Sequence, residues 1–390
     1  MPKRSSRLRR LRRVALLIET TRSYTRDLLL GVRRYLAEHG PWSTFLELRS
    51  LDSSPPPWLR TWDGDGILTR TFTTETADAI AATGLPTVEL RSTRFHPHVP
   101  FVGMDNAHIG HLVAEHFLER GYRQFAVYAL DSEPYFTERV ENFRATIAKA
   151  GYLCTVLPQR GGDGVRDWEQ TQRALMTWLK GLPKPIGIFA ANDQLGVRLL
   201  DACQRAGIAV PEAVAVVGTE DEQTLCTFAS PPLTSVRFDG ATVGWRAAQL
   251  LDRLMAGGKA PASETLIPPP GIRVRASSDA LVITDALVAD AARLIREHAH
   301  EGIGVEQVCR QLTVSRSTLE RRITAALGRT PKEEIQRVRF RAIEQLLSDT
   351  DLFMAAIATR TGFATTHHLH AAFKERHGRT PGAFRRLRGG

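Results

Sequence analysis

The plainest chemical signal in this sequence is a pair of short clusters near its C-terminus. One holds Ser315, Arg316, Ser317, Glu320 and Arg321; the other holds Thr365, Thr366, His367, His370 and Lys374. Hydroxyl, imidazole and cationic groups of this size suit base edges and phosphates of DNA. The clusters sit in two copies of one pattern. Val308-Cys309, Leu312, Val314, Leu319, Ile323 and Gly328-Arg329-Thr330-Pro331 recur as Ile357-Ala358, Thr361, Phe363, Leu369, Phe373 and Gly378-Arg379-Thr380-Pro381. Each copy reads as helix, tight turn, helix, with Ser315 as the N-cap in the first and Gly362 as the turn in the second. Leu319 with Ile323, and Leu369 with Phe373, stand four residues apart and face a core. The connecting helix, about 331–347, carries Arg337, Arg339 and Arg341. The cluster of His367, His368 and His370 lacks a Cys or carboxylate to complete a metal site. No nucleophile–base pair, metal spacing or phosphate loop stands elsewhere. The sequence does not read as an enzyme, and no cofactor is expected.

Charge follows the same division. The chain of 390 residues carries a formal charge of +10. Residues 281–390 hold 18 basic and 12 acidic residues, while residues 1–13 hold seven basic residues and no acid. The body between them is mildly acidic, at −3. Basic ends that meet a polyanion and a body that binds something small are the simplest reading. The basic start precedes only a five-residue apolar run, Val14 to Ile18, too short for a secretory core. It reads as a solvated arm before a buried strand. No run reaches the roughly 20 apolar residues that span a bilayer, so no membrane is expected. Four scattered cysteines form no metal or redox motif, which fits the reducing cytoplasm.

The elements that would carry a small-molecule site lie between Val14 and about Ser277. Strand candidates are Val14–Ile18, Thr44–Leu48, Gly66–Thr69, Thr87–Leu90, Phe125–Ala129, Ile186–Ala190 and Val214–Val217. Helix candidates are Thr25–His39, Asn106–Glu119, Arg139–Ala150, Trp168–Leu179, Gln194–Ala206 and Ala241–Met255. Alternation of this kind predicts parallel sheets with right-handed crossovers, and ligands bind at the carboxyl ends of such strands. Gly121-Tyr122-Arg123 suits a glycine helix stop, and Asn192-Asp193 stands where a strand gives way to a helix, as an N-cap would.

The body resembles the sensor domain of the lactose/galactose-repressor family, itself similar to periplasmic sugar-binding proteins. The resemblance is carried by Val102-Gly103-Met104-Asp105-Asn106, Gly121-Tyr122-Arg123, Arg139 with Phe143, Ala191-Asn192-Asp193-Gln194, Val217-Gly218-Thr219-Glu220-Asp221 and Pro231 through Val236. It implies an α/β fold of two Rossmann-like lobes with a ligand between them. It also implies that Arg139 and Asp193 bind sugar hydroxyls, as an Arg fork or a carboxylate can hold two at once. Tyr24, Tyr135, Phe136 and Trp168 are candidates to stack on a sugar's C–H faces. Arg26, Asn192 and Asp221 complete the expected pocket, with Arg91, Glu220 and Asp239 ranked below them. That family's own N-terminal helix-turn-helix is missing, and the basic tail stands in its place.

The C-terminal segment resembles the all-α double helix-turn-helix domain of the AraC/XylS regulators. Ser315-x-Ser317-x-Leu319, Ala342 with Leu346-Leu347, Ile357-Ala358 with Gly362-Phe363, Phe373-Lys374 and Gly378-x-Thr380-Pro381 carry that likeness. Thr366-His367-His368-Leu369 departs from the usual serine–aromatic pair, so operator preference is not inherited. The order of sensor before reader is similar to the xylose operon regulators of bacteria, down to Tyr24-Thr25-Arg26 and Gly302-Ile303. The expected domains are a tail at 1–13, a sensor at 14–277, a linker at 278–285 and a reader at 286–388. The resemblance implies a homodimer that binds operator DNA and a small sugar, xylose or a relative. It also implies activation of a pentose operon through RNA polymerase. A different sugar or sugar acid, with repression in place of activation, stays open, as does a sugar transport receptor.

Overall fold

The structure is a computed structural model that describes residues 10–50, 53–93, 95–130, 133–159, 168–282 and 285–388. Residues 1–9 of the basic tail lie outside it. The chain divides into two compact units, Met1–Ala280 and Leu281–Gly390.

The first unit has two lobes. In one, β1 (Arg13–Leu17), α1 (Ser23–His39), β2 (Ser43–Leu46), β3 (Gly66–Thr69), α2 (Thr74–Ala81) and β4 (Thr87–Glu89) build a parallel sheet of order β2-β1-β3-β4. The apolar run after the basic tail is β1, with Val14 and Ala15 fully buried. Arg12 and Arg13 belong to the lobe rather than to a free arm: Arg12 pairs with Asp252, and Arg13 binds Asp63 at 2.5 Å. β5 (Val102–Met104) continues this lobe through a bridge from Phe101 to Glu89.

The chain then crosses. α3 (Asn106–Glu119) opens with the Asp105 carboxylate accepting the His108 N–H at 2.9 Å. After it come β6 (Phe125–Leu130), α4 (Pro134–Lys149), β7 (Cys154–Gln159), α5 (Trp168–Gly181), β8 (Ile186–Ala190), α6 (Asp193–Arg205), β9 (Val214–Glu220), α7 (Gln223–Phe228) and β10 (Thr234–Arg237). These form the second lobe. A second crossing brings α8 (Gly240–Met255), capped by Asp239, back onto α1, and β11 (Thr265–Ile267) pairs with β5. A third crossing returns β12 (Ile272–Arg273) to the edge of the second sheet, of order β12-β10-β9-β8-β6-β7. All its pairings are parallel except β10 with β12.

Sequence alternation missed α2 and β7. Thr74–Ala81 is short, and its sequence mixes Thr with Ala, so its periodicity is weak until Thr73 is seen to cap it. β7 reads Cys-Thr-Val-Leu-Pro-Gln, and its proline is tolerated because the strand lies at the sheet edge. Asn192 caps α6 through the Leu195 N–H at 2.8 Å, and Gly121 adopts a left-handed φ of 81° at the stop after α3.

The second unit is all helical: α9 (Ala286–His298), α10 (Val305–Gln311), α11 (Arg316–Leu327), α12 (Pro331–Asp349), α13 (Met354–Arg360), α14 (Thr366–His377) and α15 (Pro381–Arg388). It has two cores. Val288, Ile295, Val308, Leu319, Ile323 and Ile335 fill one; Phe340, Ile343, Leu347, Ile357, Leu369 and Phe373 fill the other. α12 serves both.

Candidate functional site

The three crossings gather a polar cluster between the lobes of the sensor. β1, β3 and β4 deliver Glu19, Arg70 and Arg91 at their carboxyl ends, and the start of α1 delivers Ser23 and Tyr24. From the facing lobe come Glu133, Tyr135, Phe136 and Arg139 at the start of α4, Asn192 and Asp193 at α6, and Glu220 at the end of β9. Phe238 lies on the second crossing.

Arg139 is the centre of this cluster and is only 3% exposed. Its Nε donates to Asn106 Oδ1 at 2.9 Å and its Nη1 to the Ala191 carbonyl at 2.7 Å, which ties α4 to α3 and β8. Its guanidinium lies 4.8 Å from the Tyr135 ring centroid, 5.2 Å from Phe238 and 5.9 Å from Phe136. Tyr24 meets Phe238 edge to face at 5.2 Å, and Arg70 lies over Tyr24 at 5.8 Å. A charged fork inside an aromatic box is a geometry that holds hydroxyls on one side and C–H faces on the other. Burial pushes the Tyr24 and Tyr135 phenols up and the Arg139 guanidinium down, and the Glu220 carboxylate acts on all three.

Acids balance the cations. Glu19 pairs with Arg70, and Glu19 Oε2 and Arg70 Nε have no hydrogen-bond partner among the described residues. Arg91 pairs across the lobes with Glu133, both nearly buried, and Thr93 donates to Glu133 at 3.0 Å. Ser23 reaches Glu222 of the facing lobe in the same way. Glu89 accepts the N–H groups of Thr71, Leu90 and Arg91 at 2.8–3.1 Å, yet burial raises its carboxyl to about 7.

The sequence-expected residues divide accordingly. Tyr24, Tyr135, Phe136 and Arg139 come together. Asp193 adjoins them, but both its oxygens are taken: Ser235 Oγ lies 2.6 Å from one, and the Glu222 N–H lies 2.8 Å from the other. Burial raises its carboxyl to about 8. Asn192 Oδ1 accepts the Leu195 N–H as the helix cap. Asp221 is held by Arg275 at 2.7 Å and Arg273 at 3.2 Å. Arg26 is exposed and donates to the Thr20 carbonyl, and Trp168 stacks under Arg198 at the head of α5.

Glu220, ranked low from sequence, acts on Tyr24, Arg70, Tyr135, Arg139 and Asp193 together. It holds φ at 109°, a left-handed value that a side chain rarely adopts. Glu19, Arg70 and Phe238 were missed. The rule that strand ends line the ligand site would have found the first two.

In the second unit, α11 and α14 are the second helices of the two repeats. Ser315 caps α11 through Thr318 N–H, and Thr365 caps α14 through His368 N–H. Ser315, Arg316, Ser317 and Arg321 are exposed, as are Thr365, Thr366, His367 and Lys374; Glu320 and His370 are half-buried. Arg316 holds Glu320 and Glu306, both at 2.8 Å. These exposed pairs are weak and exchangeable for a phosphate or base. The connecting-helix arginines are engaged within the fold: Arg337 pairs with the buried Glu334, and Arg339 binds two backbone carbonyls.

Known proteins share both halves. Residues 114–278 match a periplasmic binding protein-like domain, and residues 308–387 match a helix-turn-helix domain. The xylose operon regulatory protein of Haemophilus influenzae is 30% identical over 385 residues, covering 96% of this chain and 98% of that protein. The Escherichia coli K12 protein of the same name is 30% identical over 383 residues, covering 96% of each. A solved xylose-binding transcription activator, XylR, superposes with a TM-score of 0.76 at 29% identity, over 96% of this chain and 98% of that one. A CelR–cellobiose complex shares the fold of the sensor at 24% identity, with a TM-score of 0.56. The two-lobed sensor and the paired helix-turn-helix unit, matched together by the xylose regulators over 96% of the chain, place it in the xylose operon regulator family, as a sugar-sensing, DNA-binding transcription regulator and not an enzyme.

Proposed function

We propose that the chain is a cytoplasmic activator of a pentose-utilisation operon and that its effector is a neutral sugar of the xylose type. The observation that carries this reading is the charge balance around Arg139. Among the described residues, the two other cleft arginines, Arg70 and Arg91, are each paired with a carboxylate, Glu19 and Glu133, and Arg139 feels the Glu220 charge. The unpartnered Glu19 Oε2 and Arg70 Nε offer an acceptor and a donor for hydroxyls. This supports a polyol over a sugar acid. The relatives named for the xylose operon and for xylose binding point the same way.

Sugar favours the closed cleft and shifts the population toward it. Closure changes how two readers in a dimer are presented to DNA, and a ten-fold change in operator affinity needs only about 1.4 kcal/mol of coupling. A dimer face is available on the first lobe. β2 is an edge strand with all four residues exposed, and Leu30, Phe45, Leu46 and Leu48 stand out from the same lobe. Bound activator then contacts RNA polymerase.

Calorimetry with xylose, other neutral pentoses and a uronate tests the effector. A neutral pentose is expected to bind and the uronate not to. Arg139→Ala should weaken the sugar by at least about 2 kcal/mol, because it strands buried hydroxyl partners. Tighter binding of the uronate, or unchanged affinity in the variant, would reject the site. A DNA-shift assay with and without the bound sugar separates activation-type linkage from its reverse.

A further inference from the structure

The two helix-turn-helix halves are joined by more than the shared helix. The boundary between their cores falls on α12 between Val338, packed against the first, and Phe340, buried in the second. Arg339 stands at that boundary. Its Nε donates to the Ala299 carbonyl at 2.8 Å and its Nη2 to the Ile303 carbonyl at 2.9 Å. These carbonyls bracket Gly302, in the loop that leads into α10. That loop meets the turn of the second half backbone to backbone. A Cβ built on Gly362 would lie 2.7 Å from Gly302 N, 2.8 Å from Gly302 Cα and 3.1 Å from the Ala299 carbonyl oxygen. Both glycines hold positive φ, 89° and 71°. Thr361, just before the contact, is fully buried.

We propose that this junction of Arg339, Gly302 and Gly362 is a specificity element of its own: it fixes the separation and angle of the recognition helices α11 and α14, and so reads the spacing between the two boxes of the operator. Arg339 touches no base in this scheme; it is a positioning residue. Its two hydrogen bonds to the loop, with the Gly302–Gly362 contact beside them, remove the bending and twisting that a single helix would allow. Adding one base pair between two boxes moves them apart and turns them by about 34–36°. A hinged reader follows such a change, and a bolted one does not. The inference rests on both helices reading DNA in one chain.

In vitro selection from randomised duplexes with the full-length chain gives the first readout. Two boxes at one fixed spacing are expected. Sites holding a single box would sink the two-helix reading itself, and the junction's role with it. One base pair inserted between the selected boxes should then weaken wild-type binding at least ten-fold. Tolerance within two-fold would overturn the junction even though both helices read DNA. Arg339→Met keeps the aliphatic stem and removes both hydrogen bonds. It should bind an isolated box within two-fold of wild type, yet lose less than three-fold on the insertion. A folded Arg339→Met that keeps the full spacing penalty refutes the proposal. If circular dichroism shows that variant unfolded, Arg339→Lys, which retains one donor, takes its place and must show an intermediate penalty; an unchanged penalty refutes the proposal equally.

Discussion

At the scale of the residue, burial decides which polar groups are free to act. Asp193 has the type and position expected of a sugar ligand, and that was legible in Ala191-Asn192-Asp193-Gln194. Its engagement by Ser235 and Glu222 was not, because those partners are 42 and 29 residues away. The consequence for pH has a definite sign. Burial holds the carboxyl near 8 against 3.8 for a free Asp, so between those values the folded chain keeps a proton that the unfolded chain has lost. The contribution of this carboxyl to stability is therefore fullest below about pH 4 and is lost as pH rises to about 8. Glu89, raised to about 7, adds to the same slope. Asp193→Asn removes one of these titrations. Between pH 5 and pH 8 its melting temperature should fall by at least about 3 °C less than that of wild type. Equal falls in a scanning calorimeter would show that Asp193 is ionised in the fold. Glu220 teaches the converse lesson. It stands at a strand end with a left-handed φ among the groups it acts on, and nothing in residue type announces that.

At the scale of the element, the strand and helix pattern was readable because each crossover keeps its own period, and α2, α3, α6 and α8 also carry side-chain caps. Close approach between elements was not readable, since it shows only as scattered glycines. α1 and α8 come from opposite ends of the sensor and pack through two such notches. A Cβ on Gly31 would stand 2.0 Å from the Ala241 carbonyl oxygen, and one on Gly244 would stand 2.0 Å from that of Leu28. Both obstacles are backbone, so neither can swing aside. Gly244→Ala should therefore cost about 2–3 kcal/mol despite a better helix propensity, as overpacking does. Urea titration of the sensor measures it. A neutral or stabilising outcome would mean that the helices separate easily. In the second unit the repeat announced two modules, the Ser315 cap of the first and the Gly362 turn of the second, while Gly302 stood out only through the family resemblance. That the two glycines touch follows from folding alone.

At the scale of the molecule, the division of charge anticipated the division of labour. The basic C-terminal third is the reader, and the mildly acidic body is the sensor. Among the described residues no helix is long and apolar enough to cross a membrane. Removing residues 281–390 should abolish operator binding in a DNA-shift assay and leave sugar affinity within about three-fold, since each unit has its own core. Operator binding by the remaining sensor would overturn that assignment. The open edge of β2 bears on a different property of the whole protein. A strand that offers four exposed residues and a row of unpaired backbone groups is a template for runaway pairing with other chains. Covering that edge with a second copy would protect solubility as well as arrange two readers. Variants that weaken self-association would then be lost from the cell as aggregates before any defect in regulation could be seen.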